Sequence, residues 1–169
     1  AKKQIQSSRN PQDGRNAAQQ NRKTLSSINL GSAKKQNRLL PEGDAKTRYQ
    51  SAFGYLRKRE FQKAELALKE FLTMHPDDPL VPNAMYWLGE TYYVQKKFQL
   101  AAISFARGFQ SFPKGNKAID QLFKLALTFI NLGKNEDACA AFSKLDSEFP
   151  NAPKRISNRA KEYIKRAKC

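Results

Sequence analysis

One histidine and two cysteines in 169 residues leave little from which to build an active site. A serine or cysteine triad would have to rest on His75, which sits in a helix-ending turn beside Pro76. The chain has no glycine-rich phosphate loop, no HExxH and no metal-spaced Cys/His cluster. The nearest carboxylate grouping, Asp77–Asp78, falls in a loop, where it suits capping of the following helix. The expectation is a non-catalytic protein with no cofactor and no metal. Long apolar runs are missing too, and none approaches the about 18 residues that a membrane-spanning helix needs. No N-terminal apolar stretch reads as a signal peptide and the first residue is Ala1, so the sequence reads as a processed or trimmed piece of a longer chain.

Acidic residues are scarce, 15 against 31 lysines and arginines, giving a net charge of +16. The excess sits at the ends. Residues 1–43 hold nine Lys or Arg against Asp13 and Glu42, and residues 154–169 hold seven against Glu162. Basic ends on a near-neutral body imply attraction to an anionic surface or polymer, and solubility alone is the plainer reading. Residues 1–43 also lack aromatic residues and are rich in Gln, Asn and Ser. Such a composition cannot bury enough apolar surface to offset its ordering entropy, so this arm reads as a disordered linker.

What is there, from Asp44 onward, is a repeat. Pro76, Pro113 and Pro150 stand 37 residues apart. At the same interval Gly89 aligns with Ala52 and Ala126, and Tyr92 with Tyr55 and Phe129. Ala101 aligns with Ala64 and Ala138, and Phe105 with Leu68 and Phe142. Each unit reads as two helices, the first at about 44–58, 80–95 and 117–132, the second at about 61–74, 98–111 and 135–148. The breaks "KREF", "QKKF" and "LGKN" are short enough to force antiparallel neighbours. A column restricted to small side chains implies close approach: Ala52, Gly89 or Ala126 on the first helix faces the alanine on the second, and the axes come nearer than the usual about 8–10 Å. Each proline closes a second helix, because it cannot donate the next hydrogen bond.

The column order of small residue, aromatic, alanine, bulky apolar residue and proline resembles the tetratricopeptide repeat, whose usual unit is about 34 residues. Three more stand between each proline and the next helix, as in "PDDPLVP". The resemblance implies an all-α, right-handed solenoid of three hairpins, at about 44–79, 80–116 and 117–152. A capping helix at 153–168 follows, in the domain 44–169. Unit one fits least well, with Ser51 where Leu88 and Leu125 stand.

First helices line the concave face of such a solenoid. That face would offer Tyr49, Phe53, Tyr86, Tyr93, Phe123, Leu127 and Ile130, with Asn83 and Glu90 as polar points. About half of these are expected to be open to a partner, the rest packing against neighbouring helices, and Trp87 is assigned to the core. A mostly uncharged aromatic groove suits an apolar helix or extended segment rather than a peptide held by its carboxylate.

Cys139 lies early in the last second helix and Cys169 ends the chain. Antiparallel packing of that helix with the cap brings the two near each other, with Cys169 overshooting by about a turn and a half that fraying could absorb. A bridge would close a loop of about 30 residues, stabilise by ~3–4 kcal/mol and imply an oxidising compartment. The alternative is two unpaired thiols.

One resemblance is more specific. "HPDDPLVPNAMYWLGETYYVQKKFQLAAISF" and the following "FPKGNKAIDQLFKLALTFINLGKNEDACAAFSKLDSEFPNAPKR" look like the C-terminal domain of the periplasmic Tol-Pal system protein, or cell division coordinator, family. Pro82, Ala84, Tyr86, Trp87, Leu88 and Gly89 carry it, with Lys117, Ala118 and Asp120. It covers about residues 45–169. It implies a periplasmic interaction scaffold that binds a Tol-Pal component and a peptidoglycan synthase, coordinating peptidoglycan synthesis with outer-membrane constriction during division. Family members carry a signal peptide and a trimerising coiled coil. Neither is in this sequence, so this chain is expected to be monomeric and its full-length form a trimer. The outer-membrane assembly lipoprotein family shares long-spaced repeats of this type, but its lipid-anchoring cysteine would lie near the N-terminus, and residues 1–138 hold none. A basic RNA-binding repeat protein would place polar residues at matching groove positions, where this chain has aromatic and aliphatic ones. Specific nucleic-acid binding is not expected.

Overall fold

A computed structural model of the chain describes residues 38–169. The linker reading of residues 1–37 lies outside these. Seven helices are present among the described residues, with no strand: α1 (Ala45–Arg57), α2 (Phe61–Met74), α3 (Val81–Val94), α4 (Phe98–Ser111), α5 (Ala118–Asn131), α6 (Asn135–Glu148) and α7 (Lys154–Ala167). Their bounds fall within a residue of the periodicity reading. Three antiparallel hairpins, α1–α2, α3–α4 and α5–α6, follow one another, and α7 closes the array.

The same turn joins the helices of each hairpin. Arg59, Lys96 and Gly133, again 37 apart, all adopt positive φ, at 60°, 59° and 72°. The next amide then reaches back five residues, from Glu60 to the Tyr55 carbonyl, Lys97 to Tyr92 and Lys134 to Phe129, each at 2.9 Å. This left-handed closure satisfies carbonyls that the helix end would otherwise strand. Only the third hairpin uses glycine for it. Caps at the helix starts are sparser: Asp44 accepts the Thr47 amide at 2.8 Å, and Pro82 occupies the first turn of α3.

Ala52, Ala64, Ala101, Ala126 and Ala138 have no exposed surface, and neither do Leu68 and Phe105. Phe142 of the same bulky column is 1% exposed. At Gly89 the neighbour is a ring. A Cβ there would lie 2.5 Å from Cε1 of Phe105, so the missing side chain makes room for an aromatic residue of α4 rather than for the alanine that the columns suggested.

The packed unit starts earlier than its composition implied, at Leu39 rather than Asp44. Leu40 is buried. The Leu39 amide donates to the Glu70 carboxylate at 3.0 Å, and Arg48 Nε donates to the Pro41 carbonyl at 3.1 Å. Two adjacent leucines at the end of a polar arm suffice to cover the open side of the first hairpin.

Helix neighbours define the curvature. The first helices touch in series, α1 with α3, α3 with α5 and α5 with α7, whereas α2, α4 and α6 make no such contacts with one another. The closely spaced series lies on the inner side of the curve. Cap helix α7 takes the place of a fourth first helix, and its Ile156, Ala160 and Ala167 are buried.

Cys139 and Cys169 are joined by a disulfide, with Cα atoms 5.6 Å apart. The expected overshoot is removed by a hook, not by fraying. Lys168 takes φ of 59°, and the Cys169 amide turns back to donate to the Ile164 carbonyl at 3.2 Å.

Candidate partner-binding groove

On the inner side, α1 and α3 bring their rings into one row. Tyr49 stacks with Phe53 at 6.4 Å between centroids, Phe53 meets Trp87 at 5.0 Å, and Trp87 meets Tyr86 at 5.0 Å. Tyr49, Phe53, Trp87 and Tyr93 are half-buried, leaving aromatic surface open along two hairpins. Trp87 therefore belongs to the face as much as to the core. Tyr86 is 9% exposed and rests on Phe105 beneath it, so it is chiefly a packing residue.

The third hairpin differs. Phe123 is 2% and Leu127 5% exposed. Tyr163 of α7 packs on Phe123 at 6.3 Å, and the Arg159 guanidinium lies over the same ring at 5.1 Å. Both positions were placed on the concave face, of whose residues about half were expected to be open. The cap covers them, because it packs against α5 as α5 packs against α3. Ile130 stays half-buried.

The polar points are paired. Asn83 Oδ1 accepts from Asn116 at 3.2 Å, and the Tyr93 hydroxyl accepts from Asn131 at 2.9 Å. Glu90 is half-buried, with the Lys124 ammonium 2.7 Å away, a close charge contact without good hydrogen-bond alignment. Burial raises the Glu90 carboxyl above its ordinary range, against the pull of Lys124. Burial likewise raises the phenols of Tyr49, Tyr86 and Tyr93. The groove is also more charged than the residues first assigned to it suggested. Lys117 sits 4.9 Å from the Tyr86 ring and 5.8 Å from that of Trp87, and Lys124 4.8 Å from that of Tyr93. The ammonium groups of these lysines thus lie over the rings and also meet Asp120 and Glu90.

Buried Gln121 was not anticipated. It has no exposed surface and donates through Nε2 to the Pro82 carbonyl at 3.2 Å. A Cβ at Gly108 would lie 2.3 Å from that amide. The columns carried a signal: one repeat earlier the same two positions are Phe71 and Ala84, a large–small pair replaced here by small–large.

On the other side, the splayed second helices leave clefts, the larger of which also takes in Gln110, Asp137, Lys144 and Glu148. One of about 550 Å³ is lined by Phe109, Pro113, Leu122, Leu125 and Phe129, and one of about 450 Å³ by Ile103, Ala106 and Leu132. Leu66, Leu100 and Ile103 are exposed there. His75 lies away from both, at the end of α2, 3.2 Å from Arg48 Nη1. Asp78 accepts the Leu80 amide at 2.8 Å, a loop role. No group of three or more potential metal ligands occurs among the described residues, and none of their helices is long and apolar enough to cross a membrane.

Repeated hairpins with these columns define a tetratricopeptide-repeat solenoid, the architecture of a protein–protein interaction scaffold. Tetratricopeptide-repeat family models match residues 49–116 and 122–152. Over 42 residues the chain is 40% identical to the cell division coordinator CpoB of Pseudomonas putida, in strain KT2440 and in a second sequence of that species. That stretch is 25% of this chain and spans only 16% of the relative's length. Two solved structures of MamA resemble the fold with a TM-score of 0.55 at 21% identity. One match covers 74% of this chain and 66% of that one, the other 73% and 76%.

Proposed function

We propose that the chain is a periplasmic, non-catalytic adaptor of the Tol-Pal system. In this role its inner face holds a segment of a Tol-Pal component, and it serves to coordinate peptidoglycan synthesis with outer-membrane constriction in dividing cells. The row of half-open rings, Tyr49, Phe53, Trp87 and Tyr93, carries the reading. Rings fixed by their neighbours offer large contact area at low entropic cost, and convergent polar groups beside them set orientation. The outer clefts carry separate rings, Phe109 and Phe129, and lack such a row. The sequence match to a cell division coordinator supports the cellular assignment, and the disulfide suits an oxidising compartment.

The test is calorimetric titration with purified Tol-Pal components. Phe53→Ala with Tyr93→Ala abolishes measurable binding while the melting transition stays cooperative. Binding that survives this pair at wild-type affinity moves the site off the inner face. Tyr86 is a poor choice for such a test because its removal disturbs the core.

A further inference from the structure

The cap helix does more than close the array. At about 100° per residue, Arg155, Arg159 and Arg166 fall within about 40° of one another around α7. Lys154, Lys161 and Lys165 fall on the opposite flank, with the buried stripe of Ile156, Ala160 and Ala167 between the two. The helix thus sorts its cations by type. Arg159 lies over Phe123, and Arg166 over Tyr163 at 5.5 Å, so the arginine flank adjoins the groove. Lys161 lies on the side of α6, beside Asp146 and Phe149. Burial raises the Tyr86 and Tyr93 phenols, and the charges of Arg155 and Arg159 respectively act against that rise, which places both guanidinium groups within electrostatic reach of the inner face.

The charges already in the groove are matched, Lys117 with Asp120 and Lys124 with Glu90. No carboxylate pairs with Arg155, Arg159 or Arg166 among the described residues, and Glu162 is the one acid of α7. A planar guanidinium recognises carboxylates bidentately and rests on aromatic faces, which a lysine does less well. We propose that α7 is one wall of the partner groove, and that its arginine flank selects a peptide segment bearing carboxylates next to apolar anchors. This rests on the reading of the inner face as the partner site. Nucleic acid fits less well, because Lys117 and Lys124 lie over the rings on which bases would stack.

A displayed library of random peptides, selected against the full chain, tests this. Wild-type protein enriches segments with Asp or Glu beside aromatic or aliphatic residues. Arg155→Ala with Arg159→Ala keeps the apolar enrichment and loses the acidic one, and it binds the best acidic peptide at least about tenfold more weakly, about 1.4 kcal/mol. Lys161→Ala with Lys165→Ala removes the same charge from the other flank and changes that affinity less than twofold. Equal loss in the lysine variant, apolar enrichment without acid preference in the wild type, or displacement of the peptide by single-stranded RNA of mixed sequence overturns the proposal and leaves the groove standing. Enrichment that persists unchanged in Phe53→Ala with Tyr93→Ala overturns the groove itself.

Discussion

The two ends of the inner face are built from the same columns and end up differently. Tyr49 and Phe123 occupy equivalent positions two repeats apart, as do Phe53 and Leu127. The first pair is half-buried and the second is covered. Nothing in the hairpins themselves distinguishes them. The difference comes from the next helix along: α3 leaves the side of α1 open, whereas α7 lays Tyr163 and Arg159 over α5. A repeat position is therefore open or buried according to its place in the array, and the cap sets how far the open stretch runs.

Truncating Phe123 and Phe53 separates the two roles most sharply. Phe123→Ala destabilises by about 3–5 kcal/mol, as for a large buried ring. Phe53→Ala costs much less stability and acts on binding, and chemical denaturation of the two variants shows the contrast. Reduction of Cys139–Cys169 comes next. It removes ~3–4 kcal/mol on the chain-entropy model and lowers the melting temperature by several degrees. Amide exchange should then rise in α6 and α7 and stay unchanged in α1–α3. An unchanged melt, with two titratable thiols before reductant is added, would show that the end is not stapled.

Gly89→Ala tests the middle of the array, where the added Cβ meets the wholly buried Phe105 ring. The expected loss is about 1–3 kcal/mol, in the range for overpacking. A wild-type transition would mean that α3 and α4 are not so closely joined.

The smallest effect compares carboxylates on the two faces. Burial raises the Glu90 carboxyl, whereas at Glu65 burial is outweighed by hydrogen bonds from Lys69 and Lys97, and its pKa is lowered. Carbon-13 NMR titration places Glu90 above, and Glu65 below, the ordinary 4.5. The signs follow by linkage. Glu90 costs stability at neutral pH, a cost relieved as pH falls through its raised value. Glu65 contributes stability that is lost as pH falls through its lowered one. Titration of both on the same side of 4.5 would contradict the difference between the faces.

Helix bounds and the small-residue column were legible because each hairpin repeats the same steric problem at a fixed interval. Antiparallel helix lengths brought Cys139 and Cys169 near each other and left bridged and unpaired thiols both open, because the Lys168 hook that closes the gap was not legible. Leu39 and Leu40 were missed because two leucines do not alter the composition of a polar arm. The covering of Phe123 depends on where a non-repeating helix lands, which no column records. Lys117 entered the sequence reading only through the family resemblance and Lys124 not at all, since the approach of their ammonium groups to Tyr86 and Tyr93 is set only by the neighbouring helix. Gln121 was legible in principle, through the exchange of a large–small for a small–large pair.

The central claim is that another polypeptide lies on the inner face. Photo-crosslinking in dividing cells tests it most directly, with a benzoylphenylalanine placed at position 53 or at position 103 of the full-length protein. Covalent adducts to a partner protein from position 53, and none from position 103, are the predicted result. Adducts from position 103 alone would contradict it and move the partner to the outer clefts.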